Sequence, residues 1–78
     1  MAEEKIIAYV LLSVEVGKEH DIAKEVTSIE GVTEARVVYG EYDIVTRVEA
    51  TSVKDLERTI MKIRKINGVL RSVTLISS

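Results

Sequence analysis

Hydrophobic and polar positions alternate at the start of the chain. From Ile6 to Val16 every even position is apolar (Ile6, Ala8, Val10, Leu12, Val14, Val16), the pattern of a strand buried on one face. Its odd positions, Ile7, Tyr9, Leu11, Ser13 and Glu15, are apolar for half the length and then polar, so the second face also needs a cover. From Lys18 to Ile29 the period changes. Ile22, Val26 and Ile29 fall at i, i+4 and i+7 with acids in the first turn, which predicts an amphipathic helix ended by Gly31. Val32 to Tyr39 reads as a second strand, Gly40-Glu41 as the turn and Asp43 to Ala50 as a third strand, together a β-hairpin. Ser52 followed by Asp55 has the spacing of a helix cap, and Val53, Leu56, Ile60, Ile63 and Ile66 recur with helical period until Asn67-Gly68 stops them. Val69 to Ile76 is the last strand.

The order β-α-β-β-α-β predicts an α+β, ferredoxin-like fold. Two right-handed crossovers within one four-stranded antiparallel sheet put both helices on the same face. A weak internal repeat agrees: Ile29-Glu-Gly-Val and Ile66-Asn-Gly-Val end the two helices. The opposite sheet face then carries Tyr9, Leu11 and their neighbours into water unless a second subunit covers it, so dimerisation through that face is expected.

Length allows one domain, residues 1–78. A chain this short buries only about 60% of the surface its unfolded form exposes, which leaves a thin stability margin. With no cysteine and one histidine, neither disulfides nor a thiolate metal staple can add to it, and self-association is the remaining common route. Lys+Arg 11 against Asp+Glu 13 gives a net charge of −2, so no positive field attracts phosphate backbones and direct nucleic-acid binding is not expected. The longest apolar run, Ile6 to Leu12, is far short of the roughly 18–20 residues that cross a bilayer, and the acidic start is unlike a signal peptide. A cytoplasmic protein without membrane contact is expected. The absence of glutamine and the single asparagine, Asn67, lean towards a thermophile, whereas the absence of proline leans the other way.

Four segments carry a family resemblance: Ala8-Tyr-Val-Leu-Leu, Ile29-Glu-Gly-Val, Val38-Tyr-Gly-Glu-Tyr-Asp-Ile-Val and Ile66-Asn-Gly-Val-Leu-Arg-Ser-Val-Thr-Leu-Ile. Together they resemble the effector-binding (RAM) domain of the Lrp/AsnC regulators over nearly the whole chain. The most specific piece is the Gly-x-Tyr-Asp turn, here Gly40, Glu41, Tyr42 and Asp43. Glu30 and Asn67 stand where the family usually has proline before the helix-ending glycine. The first strand begins by Ile6, so the chain is similar to the archaeal and bacterial stand-alone versions that lack a helix-turn-helix.

The resemblance implies an amino-acid effector bound at the subunit interface, where the hairpin of one subunit meets the last strand of its neighbour. Tyr39, Gly40, Glu41, Tyr42 and Asp43 would line one side, Ser72 and Thr74 the other, with Leu11 and Val45 near the effector's side chain. The chemistry suits a zwitterion: Gly40 lets backbone N–H groups approach a carboxylate, and Asp43 is a charge-assisted acceptor for an ammonium. It further implies a dimer or a ring of dimers, contact with a full-length Lrp/AsnC regulator, and no cofactor, metal or catalytic residue.

Each of these residues has a plainer reading. Gly40 is also what a hairpin requires, Asp43 also a turn cap, and Tyr39 and Tyr42 also edge packing. His20 reads as a solvated surface residue, and Arg58, Lys62, Arg64 and Lys65 as the polar side of the second helix. Two other function classes stay open: a cofactor-free dimeric α+β-barrel enzyme, disfavoured by the lack of an acid–base group at inward positions, and a purely structural oligomerisation unit.

Overall fold

The computed structural model describes residues 4–77. Strand β1 (Ile6–Val14), helix α1 (Glu19–Thr27), strands β2 (Val32–Val37) and β3 (Ile44–Ala50), helix α2 (Val53–Arg64) and strand β4 (Val69–Ile76) follow in that order. The strands form one sheet in the order β2-β3-β1-β4, antiparallel throughout. Both helices cover the same side, α1 mainly over β2 and α2 over β3, β1 and β4, so the expected ferredoxin-like architecture is the one observed.

Alternation builds the core. Ala8, Val10 and Leu12 of β1 and Ile44 and Val48 of β3 are fully buried under the helices, where Val26, Leu56 and Ile63 meet them. In α2 the Ser52 side chain caps the helix by accepting from the Asp55 N–H at 3.1 Å, and basic Lys62 and Arg64 lie in the last turn, where they favour the helix dipole. The repeated helix end is real. Val32 N–H donates to the Ile29 carbonyl at 3.1 Å and Val69 N–H to the Ile66 carbonyl at 3.2 Å, and Gly31 and Gly68 take φ +100° and +102°, a region other residues enter only with strain.

Several sequence expectations need correction. β1 stops at Val14 rather than Val16, because its pairing with β4 shifts register at Ser13/Val14 and the chain then turns, leaving Val16 96% exposed. Helix α1 is shorter than Lys18 to Ile29, and Lys18 makes no side-chain cap. The β2–β3 connection runs over six residues, 38–43, drawn together by Val38 N–H donating to the Asp43 carbonyl at 2.9 Å, and is not a two-residue turn. Val53 faces solvent, and Thr59 takes the buried place between Leu56 and Ile63. The inward positions therefore include two threonines that the apolar reading passed over, Thr46 and Thr59.

Candidate functional site

The hairpin end of the sheet is built around Asp43. Its backbone N–H donates to the Leu12 carbonyl at 2.8 Å, and its Oδ2 accepts from the Val14 N–H at 2.8 Å. The carboxylate thus continues the β1–β3 ladder past the last paired residues, Leu12 and Ile44, by standing in for a backbone acceptor. This is a structural role, but not the local turn cap of the plainer reading: the bond reaches β1, 29 positions away. Gly40 has φ +137° with open space where a Cβ would point, so glycine is needed there for its backbone angle and not for packing. Tyr39 is 97% exposed, Glu41 exposed and Tyr42 half-buried. A tyrosine so fully solvated contributes nothing to the packing of its own chain.

Ser72 and Thr74 are half-buried on β4, opposite Leu12 and Val10. Those partners point under the helices, so both hydroxyls lie on the helix side of the sheet. Within one chain they cannot meet the hairpin, because β1 runs between β4 and the β3 end that carries Asp43. The seven residues fall into two groups on opposite sides of a central strand.

The other sheet face is open and split by chemistry. Cross-strand pairing gives one row of Val73, Leu11, Val45 and Arg36, and a second of Leu75, Tyr9, Arg47 and Glu34. Val73, Leu11, Val45, Tyr9 and Leu75 therefore form an apolar patch over β4, β1 and part of β3, bordered by Arg36, Glu34, Arg47 and Glu49 towards β2 and by Arg71, opposite Ser13, at one end. Leu75 is 52% and Tyr9 39% exposed, a costly arrangement for a face left in water. On the charged side Glu49 bonds Arg47 at 2.5 Å and pairs with Lys5 at 3.2 Å, and Arg36 pairs with Glu34. The Arg47 and Lys5 contacts hold the Glu49 carboxyl below its ordinary value, and Glu49, then Tyr9, hold the Arg47 guanidinium above its own.

Two of the clefts on the described residues bear on the candidate site. One of about 340 Å³ is lined by Arg64, Val69, Leu70, Arg71 and Ser72, so it adjoins one candidate hydroxyl. The larger, about 420 Å³, lies at the opposite end of the sheet and contains none of the predicted ligand residues. Among the described residues no three His, Cys, Asp or Glu side chains could hold a metal ion, and no helix is long and apolar enough to cross a membrane.

A family model of the Lrp/AsnC ligand binding domain matches residues 7–78. The chain belongs to the Lrp/AsnC family. An uncharacterised helix-turn-helix transcriptional regulator of Pyrococcus horikoshii is 33% identical to this Lrp/AsnC-type domain over 60 residues, 76% of the chain, and the chain spans 40% of that regulator's length. A homocitrate synthase of Sulfolobus acidocaldarius shares 36% identity over 53 residues, 68% of the chain but 11% of the enzyme. Among solved structures, a hypothetical protein from Pyrococcus horikoshii has a TM-score of 0.88 at 36% identity, with 94% of this chain and 89% of that one aligned.

Proposed function

We propose that this Lrp/AsnC-family domain is a regulatory module that binds an amino acid where the hairpin of one copy, Tyr39 to Asp43, meets Ser72 and Thr74 on β4 of another. The observation that carries the reading is the placement of these groups on opposite sides of β1, so that only a second copy can bring them together. The open face supplies a first contact, through the apolar β4–β1 side with Tyr9 and Leu11 at its centre. The ligand hydroxyls lie on the other side of β4, so the effector sits at a second, edge contact, and two kinds of contact per copy lead to a ring of dimers. This refines the expectation of a single interface serving both purposes.

Segments similar to this chain sit in a regulator and in a much longer enzyme, which supports a portable sensing unit that reports to different partners. For this chain the corresponding partner is a full-length Lrp/AsnC regulator. Calorimetry across the proteinogenic amino acids tests the reading, with Tyr39→Ala, Ser72→Ala and Asp43→Asn as variants. Tyr39→Ala is informative because it removes no intrachain packing, and Asp43→Asn keeps an acceptor for Val14 while removing the charge. The expected result is one preferred amino acid, bound at least about tenfold more weakly by each variant, which is ~1.4 kcal/mol. Absence of heat with every amino acid at millimolar concentration, or binding indifferent to all three changes, overturns it.

A further inference from the structure

The cleft at the far end of the sheet is assembled from four segments: Lys5 before β1, the turn after α1 with the start of β2, the end of β3 with Thr51 after it, and α2 from Asp55 to Lys62. Its floor is small and fixed. Gly31 sits so close to Thr59 that a Cβ would lie 2.7 Å from Oγ1, Thr59 Oγ1 donates to the Glu30 carbonyl at 3.2 Å, and Glu49 N–H donates to the Gly31 carbonyl at 2.8 Å. These bonds lock the backbone that presents Glu30. Three bases and three acids line the cleft, and two pairs are already made: Lys5 with Glu49 at 3.2 Å and Arg58 with Asp55 at 3.4 Å. Lys62 and Glu30 remain. They have opposite charge and share one cleft, yet among the described residues neither has an ion-pair partner.

From this geometry we propose that the cleft is a second small-molecule site, complete within one chain, that takes a small zwitterion with its anionic end on Lys62 and Arg58 and its cationic end on Glu30. The physical reason is complementarity. The lining is neutral in sum but has a positive wall on α2, where Arg58 and Lys62 stand four residues apart and share a face beside Asp55, which already pairs with Arg58, and a negative one on the turn after α1 at Glu30. A simple anion would meet Glu30 and Asp55, a simple cation would meet Arg58 and Lys62, and only a ligand with both charges satisfies both walls. The volume exceeds what such a molecule needs, so water shares the site.

Amide chemical shifts of the full chain, followed during titration at constant ionic strength, test this. The probes are glycine, β-alanine and γ-aminobutyrate, a series with increasing charge separation, against acetate and methylammonium, which each carry one charge. The expected result is that at least one zwitterion moves the amides of Glu30–Thr33 and Asp55–Lys62 and that either single-charge probe binds at least about tenfold more weakly. Lys62→Gln and Glu30→Gln, both at exposed positions, should each weaken binding by a similar factor, while Lys65→Gln, just past the end of α2 and outside the cleft, should leave it unchanged. The site is complete within one chain, so these amide shifts should follow probe concentration alike at low and high protein concentration. Acetate binding as well as the zwitterions, indifference to both charge-removing changes, or no movement of these amides at millimolar probe overturns the proposal.

Discussion

Thr46 and Thr59 are both buried, yet replacing each with valine should change stability in opposite directions. Thr46 is fully buried on β3, flanked by Val10 and Ala35, and its Oγ1 has no hydrogen-bond partner. A buried hydroxyl left unpaired costs roughly 1–3 kcal/mol, and the methyl that replaces it gains about 0.8 kcal/mol of apolar burial. Discounting for imperfect fit in a tight core, Thr46→Val should stabilise by about 1–2 kcal/mol. For a domain of this size each kcal/mol raises Tm by roughly 4–8 °C. Thr59 is 7% exposed and its Oγ1 donates to the Glu30 carbonyl, so Thr59→Val removes a made bond and should destabilise by about 1 kcal/mol. The assay is urea unfolding followed by circular dichroism, at one fixed protein concentration because the proposed self-association would add concentration-dependent stability. Thr46→Val coming out neutral or destabilising at unchanged m value would mean that the hydroxyl is satisfied after all, and the argument from an unpaired group would be wrong.

Other consequences can be checked with the same methods. Gly31→Ala should destabilise by about 1–3 kcal/mol in urea unfolding, since it forces a side chain into positive φ and against Thr59. Glu49 is held below its ordinary 4.5 by Arg47 and Lys5, so the unfolded chain takes up its proton at higher pH than the folded one. The stability this gives is present above 4.5 and is lost as pH falls through the lower folded value; in acid titrations of stability, Glu49→Gln should flatten the loss across that window.

The core was legible because alternation survives folding: the inward positions of the first and third strands are the ones buried. The apolar reading passed over positions 46 and 59, and periodicity does not report whether a hydroxyl there finds a partner. Element ends were less legible. Val16 continues the apolar pattern, and only the register shift at Ser13/Val14 ends the strand before it. The Gly-x-Tyr-Asp segment pointed to the hairpin, whereas the ladder role of Asp43 depends on a carboxylate meeting the Val14 N–H from 29 positions away. The split of the open face into apolar and charged sides follows from strand order and register. The charged cleft draws on segments distant in the chain, and no linear motif announces it.

The topology also ties the proposed effector site to assembly in a way that can be measured. A ligand that touches the hairpin of one copy and β4 of another binds the assembled state and not the separated one, so by linkage it must favour assembly as much as assembly favours it. Its apparent affinity should then rise with protein concentration. Leu11 lies in the middle of the apolar row, away from the candidate hydroxyls, and replacing it with glutamate places a charge where burial of a leucine would contribute about 1.5–3 kcal/mol. Leu11→Glu should therefore lower the subunit number in light scattering and, where the edge contact is completed through the dimer, weaken effector binding, although Leu11, which the resemblance put near the effector's side chain, lies on the open face, across the sheet from Ser72 and Thr74. Effector affinity that stays constant across protein concentration and in a monomeric Leu11→Glu variant would show that one chain holds the ligand alone, and attention would pass from the hairpin to the cleft beneath α2.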